Sequence, residues 1–213
     1  MKFIDDSHRE YQKAKFDEQN LKAKPYELFA DWFALAKNAN IVDPNAFILS
    51  TATKDGKPSS RAVLLKSYDE NGFVFFSNYE SRKGKEMDEN PNVAMIFFWD
   101  DLEKEIRIEG TVEKISAEES YEYFKTRPFT SKLGSWASRQ SQPLSSRFKL
   151  IREVAKLMVK YPNPNDVPLP PYWGGYRIKP EAFEFWQGRP SRLHDRFLYK
   201  LIDGEWKVQR LFP

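Results

Sequence analysis

Cysteine is absent from this 213-residue sequence, which excludes disulfides, thiolate nucleophiles and cysteine-bound metals. Histidine is nearly absent as well. Only His8 and His194 offer imidazole, too few for a typical zinc site, and no metal is expected. A dominant charge of either sign is also missing: 34 basic against 31 acidic side chains leave a net charge of +3. A dedicated nucleic-acid surface normally shows a concentrated basic stripe, so a nucleic-acid partner is not expected. No run approaches the roughly 20 apolar residues of a membrane span, and Met1-Lys2-Phe3-Ile4-Asp5-Asp6 has no apolar signal core. These absences together lead us to expect a cytoplasmic protein with no membrane partner.

Aromatic residues, by contrast, are plentiful. They make up 15% of the chain, with 17 Phe and 6 Trp, more than a small core needs and suited to a large interface or a flat ligand. Residues 1–24 carry charges and amides with few apolar positions and read as an N-terminal arm or lid; 25–213 read as one domain, because no linker interrupts them.

Leu28, Phe29, Trp32, Phe33 and Ala36 recur at helical spacing after Pro25. Strands are expected at Ala46–Ala52, at Arg61–Lys66 and after the Asn71-Gly72 turn. Ser81 is a natural N-cap for a short helix closed by Asn90-Pro91. Val93–Trp99 reads as a strand buried on both faces, and Glu105–Ile115 as an alternating one. Ser116-Ala117-Glu118-Glu119 has the form of a capping box, and the hydroxyl-rich run Thr130–Ser141 reads as a loop able to ring a phosphate. Phe148, Ile151, Val154, Ala155 and Met158 mark a further amphipathic helix. Strands close the chain at Tyr176–Ile178, Ala182–Trp186, Leu193–Leu201 and Trp206–Leu211. Strand and helix do not alternate regularly, which favours a mainly β fold with peripheral helices, a Greek-key antiparallel barrel, over a doubly wound parallel sheet.

The stretch Arg61-Ala62-Val63-Leu64-Leu65-Lys66 is the chemical centre of this pattern. A strand bounded by arginine and lysine calls for an anion, because an unpaired buried charge is costly. Five residues apart, Arg61 and Lys66 face opposite sides of a regular strand. They therefore serve one anion across a bulge or strand end, or two anionic ligands, with Arg82 and Lys83 able to join either group. Solvated surface charge is the plainer alternative. Basic residues in the first turn of a helix run against its dipole unless they and the free N–H groups share a phosphate.

These residues, with Tyr123-Phe124-Lys125-Thr126-Arg127-Pro128, Gln140-Ser141, Trp173-Gly174-Gly175, Glu184-Phe185-Trp186-Gln187-Gly188 and Arg192-Leu193-His194-Asp195-Arg196, resemble the pyridoxine (pyridoxamine) 5′-phosphate oxidase family across nearly the whole chain. The resemblance implies a homodimeric FMN-binding split β-barrel, with FMN at the subunit interface, that oxidises a phosphorylated B6 vitamer with O₂. It implies FMN contacts from Arg61, Ala62, Val63, Leu64, Leu65, Lys66, Phe76, Ser77, Arg82, Lys83, Glu105, Gln140, Ser141, Trp186 and Arg196. Lys66, Tyr123, Arg127 and Ser131 fall to the substrate phosphate. Arg192 and His194, expected two apart on one strand, fall to the substrate ring as the catalytic pair. The lid motif reads His8-Arg9-Glu10-Tyr11, which assigns His8, Arg9 and Tyr11 to substrate. Glu105 stands where the family usually has glutamine.

Overall fold

The computed structural model describes residues 10–213; His8 and Arg9 lie outside the described residues. Five α-helices and nine strands follow one another along them: α1 (Pro25–Asn38), β1 (Ala46–Ala52), β2 (Pro58–Leu64), β3 (Ser67–Asp69), β4 (Gly72–Asn78), α2 (Arg82–Glu89), β5 (Asn92–Trp99), β6 (Lys104–Lys114), α3 (Ala117–Thr126), α4 (Phe129–Ala137), α5 (Arg147–Lys160), β7 (Trp173–Gln187), β8 (Asp195–Ile202) and β9 (Glu205–Arg210). The sheet runs β2-β1-β5-β6-β7-β4-β3, and β8 pairs with both β7 and β9. The order does not close on itself. The fold is mainly antiparallel β with peripheral helices, as the irregular strand pattern requires.

The chain divides into two compact units. The first comprises the residues up to Ile48 with 94–109 and 180–213. Its core is aromatic. Pro25 at the first helical position starts α1, which buries Leu28, Phe29, Trp32, Phe33 and Ala36 along one stripe. Phe29 meets Phe97 at 5.3 Å and Trp32 meets Phe185 at 5.3 Å, both edge to face. Each such side chain contributes roughly 1.5–3 kcal/mol by leaving water, so this stripe outweighs any helix propensity.

The second unit comprises 49–93 and 110–179. Here β4 pairs with β7, from Phe73 opposite Ile178 to Asn78 opposite Trp173. A separate cluster of Phe124, Leu133, Val167 and Trp173 is covered by Val154 and Leu157 of α5.

Several expectations change. β5 is buried on one face only: Val93, Met95, Phe97 and Trp99 point inward while Phe98 is 55% exposed, so an apolar run here follows the period of two rather than a doubly covered strand. The hydroxyl-rich run is helical from Phe129 to Ala137, because Leu133 is fully buried as a core anchor and Ser135 Oγ turns back to the Ser131 carbonyl at 3.0 Å rather than competing for a loop conformation elsewhere. In α5 the packed row is Val154 and Leu157, and Phe148 is 71% exposed. Ser116 caps α3 through the Glu119 N–H, but the Glu119 carboxylate accepts instead from Arg177, so the expected box is half made. The two strands expected at 176–178 and 182–186 are one, β7.

Candidate functional site

Within the second unit, a cavity of about 680 Å³ is lined by Ala62, Val63, Leu64, Lys66, Phe76, Ser77, Asn78, Lys83, Tyr123, Thr126, Arg127, Pro128, Ser131, Gly134, Ser135, Ser138, Gln140 and Trp173. Strand β2 stops at Leu64, and Lys66, whose N–H donates to the Val74 carbonyl, stands in the break before β3. The strand expected through Lys66 thus ends two residues earlier, and Lys66 lines the cavity with Ala62 and Leu64 while Arg61 does not.

One wall is a set of near-parallel rings. Phe76 stacks on Tyr123 with centroids 3.9 Å apart, and Trp173 lies 5.4 Å from Phe76 at 15°. The glycines after Trp173 let its neighbours pack close to the backbone: a Cβ on Gly174 would fall 1.9 Å from the Tyr79 hydroxyl, and one on Gly175 2.3 Å from Ile115 Cδ1 and 2.9 Å from Phe76 Cε1. Trp173 was legible only as part of a motif; the paired glycines were the signal that a backbone passes close to something there.

Two cations of the cavity, Arg127 and Lys83, have neutral partners. The Arg127 guanidinium lies 4.6 Å from the Trp173 ring centroid and donates to Ser135 Oγ. Burial lowers its pKa from the ordinary arginine value. Lys83 Nζ donates to Ser81 Oγ at 3.2 Å and to Gln140 Oε1 at 3.1 Å, and Ser77 donates to the same oxygen at 3.3 Å. Burial, assisted by the charge of Arg61, pushes the Lys83 pKa down to about 8. Ser81 holds the start of α2 by accepting from the Gly84 N–H at 3.3 Å. A phosphate brought to this wall would replace weak neutral acceptors with an anion, so the donor set fits a phosphorylated, flat ligand.

A second cavity of about 390 Å³ is lined by Arg82, Glu86, Gln140 and Ser141 among others. Arg61 and Leu65 lie outside both linings. Leu65 is buried in the core, and the Arg61 guanidinium donates to Leu49 O, Thr51 Oγ1, Ser59 Oγ and Glu86 Oε2.

In the first unit, His194 lies between Trp186 at 4.6 Å and Tyr11 at 5.6 Å. Its Nδ1 accepts from the Arg189 N–H at 3.1 Å, which leaves the proton of the neutral ring on Nε2. Burial, then Arg192 and Arg196, lower its pKa. Arg192 and His194 do not share a strand. Arg192 ends a tight 3-10 turn in which Ser191 and Arg192 have φ of 55° and 60°, and β8 begins only at Asp195. Proline at 190 and the left-handed pair turn the chain before it can extend.

Arg196 is held by Glu184 at 2.8 Å and donates to the Phe212 carbonyl at 2.9 Å. Glu105 accepts from Arg107, whose guanidinium also lies 3.7 Å from Glu184. The carboxylate expected to face a ligand thus carries its own counter-charge. Among the described residues no group of His, Asp and Glu is arranged to hold a metal.

Residues 36–158 match the family described as "Pyridoxamine 5'-phosphate oxidase", and residues 173–213 match the "Pyridoxine 5'-phosphate oxidase C-terminal dimerisation region". The chain is 51% identical over 204 residues to the pyridoxine/pyridoxamine 5′-phosphate oxidase of Actinobacillus pleuropneumoniae serotype 5b, covering 96% of each. Its fold is similar to that of PhzG from Burkholderia lata 383, solved in complex with tetrahydrophenazine-1-carboxylic acid, with a TM-score of 0.88, 32% identity and coverage of 94% of this chain and 98% of that one. It is also similar to a pyridoxamine 5′-phosphate oxidase-related, FMN binding protein from Nostoc punctiforme, with a TM-score of 0.72, 14% identity and coverage of 91% and 100%. With two successive matches along most of its length and half its residues shared with a relative covered over 96% of its length, the chain belongs to the pyridoxamine 5′-phosphate oxidase family.

Proposed function

We propose that this protein is a homodimeric, FMN-dependent oxidase that converts pyridoxamine 5′-phosphate or pyridoxine 5′-phosphate to pyridoxal 5′-phosphate. The observation that carries the reading is the cavity in which Arg127, Lys66, Ser131 and Tyr123 surround one space beside a stacked aromatic wall. FMN, when bound, supplies the acceptor for hydride from the substrate C4′ and the route by which O₂ leaves as hydrogen peroxide. Arg127, Lys66, Ser131 and Tyr123 bind the substrate phosphate. The contact with the Trp173 ring at 4.6 Å and the hydrogen bond to Ser135 hold the Arg127 guanidinium in place before substrate arrives. Lys83, Ser77, Gln140, Ser141 and Arg82 hold the cofactor's phosphate end, with Arg61 behind them. Trp186 and Arg196 bind the cofactor as well.

His194, neutral and with its Nε2 proton outward from the Arg189 hydrogen bond, donates to the substrate's oxygen or amine, while Arg192 holds the ring. Tyr11, packed edge-on against Trp186 and His194, covers that ring from the N-terminal side. Residues 173–213, the segment matching the dimerisation region, form the subunit contact.

The test is a spectrum. Purified protein should show flavin absorbance that bleaches anaerobically on adding pyridoxamine 5′-phosphate and returns with air, while unphosphorylated pyridoxamine bleaches it far more slowly. Protein that binds flavin but is bleached equally by both forms has no phosphate site, and the substrate assignment fails.

A further inference from the structure

We propose that Glu86 is a positioning residue for the phosphate end of the flavin site, orienting Arg61 and Arg82 through one buried carboxylate. The inference rests on the FMN reading above and names a residue that reading does not use. The Glu86 side chain is only 5% exposed. Its Oε2 accepts from Thr51 Oγ1, from Ser59 Oγ at 2.6 Å and from Arg61 at 3.2 Å, and its Oε1 accepts from Arg82 Nε at 2.8 Å. Donors from β1, β2 and α2 thus converge on two oxygen atoms. Burial alone would raise the carboxyl pKa, but the hydrogen bonds from Ser59, Thr51 and Arg82 override it and hold the group at about 2, so it is an anion throughout the working range.

The two arginines are used differently. Arg61 spends both terminal nitrogens internally, on Leu49 O, Thr51, Ser59 and Glu86, which is why it lines neither cavity. Arg82 gives Glu86 only its Nε; its side chain is 62% exposed and lines the second cavity beside Gln140 and Ser141. A guanidinium anchored through Nε presents its remaining N–H groups as a fork toward a ligand. Position decides the sequence pattern: four residues separate Arg82 from Glu86, one helical turn, so the pair forms without bending α2. The carboxylate also sets the charge. Arg61, Arg82 and Lys83 less Glu86 leave about two positive charges, matching the roughly −1.5 to −2 of a phosphate monoester.

The test uses apoprotein titrated with FMN and with riboflavin, which lacks the phosphate, followed by fluorescence. Glu86→Gln should weaken FMN by about tenfold, the worth of roughly one charge-assisted hydrogen bond, and leave riboflavin within about twofold. Thr51→Val, which removes one donor to Glu86 but keeps its charge, should give a smaller loss again confined to FMN. This second variant decides the matter if Glu86→Gln does not fold. An unchanged or tighter FMN affinity, or equal weakening of both flavins, overturns the proposal. Wild-type protein that binds neither flavin overturns the flavin reading itself, which the same titration reveals first.

Discussion

Each of the two compact units holds one lysine that burial pushes down to a pKa of about 8: Lys83 in the second unit, Lys104 in the first. Both have neutral partners. Lys104 lies 3.8 Å from the centre of the Trp32 ring and donates to Gln187, itself fully buried and bonded onward to the Glu103 carbonyl at 3.0 Å. Lys83 donates to Ser81 and Gln140, and it lines the cavity. The same depressed pKa therefore has two meanings. In one place the ammonium completes a sealed polar network, and in the other it faces space that an anion can enter. Access, not burial, separates a structural charge from a binding one.

The largest effect should come from the arginine of the same cavity. Arg127→Ala should raise the substrate KM by about ten- to a hundredfold, since charge-assisted hydrogen bonds to phosphate are worth roughly 1.5–3 kcal/mol. FMN affinity should stay near wild type; if titration shows the two losses to be equal, the cavity does not hold two separate phosphate sites.

Lys104→Met should leave FMN affinity unchanged but cost about 1–3 kcal/mol of stability by stranding the buried Gln187 oxygen. Urea denaturation measures it. A variant with full stability and weakened FMN would reverse the distinction between the two lysines.

Lys83→Met should weaken FMN about tenfold while changing stability little. The pH dependence sharpens this. Lys83 is cationic below its pKa of about 8 and loses its charge above it, so wild-type FMN affinity should fall as pH rises beyond 8 and the variant should be flat across that range. Stability moves the other way: a lysine depressed in the folded state makes the unfolded chain the better proton binder between about 8 and 10.5, so this group's contribution to stability rises with pH there. Flavin titrations at pH 7 and 9 that show parallel slopes for both proteins would remove Lys83 from the phosphate.

The smallest effect is expected at Glu105. With Arg107 already on its carboxylate, Glu105→Gln should change the anaerobic reduction rate by less than about threefold, because a neutralised charge acts weakly at a distance. A large rise in flavin midpoint potential would show that Arg107 does not compensate it.

Local sequence carried the helices and strands whose periodicity is simple. The α1 stripe, the Ser81 cap and the alternation of Ile106 and Ile108 against Arg107 and Glu109 in β6 appear where spacing and caps place them. Misjudged segments are those where side chains settle the backbone through partners. Thr130–Ser141 reads as loop because Ser131 and Ser135 are poor helix formers in isolation, yet burial of Leu133 in the core outweighs that propensity over Phe129–Ala137. Arg192 looked like strand because nothing in its own identity announces a positive φ.

The residues alone left two readings of a basic pair bracketing an apolar run, bound anion or solvated charge; the fold pairs Arg61 with Glu86 and leaves Lys66 exposed in the cavity lining. The sequence also determined the mainly β character and the absence of cysteine chemistry. Which cation meets its counter-charge inside the protein was decided only by tertiary structure. Arg61 found Glu86, 25 residues on, and Arg196 found Glu184 across a strand pair, whereas Lys83 and Arg127 found hydroxyls, an amide and a ring. Pairings of that kind depend on distances between segments remote in sequence, and only the packed chain sets those distances.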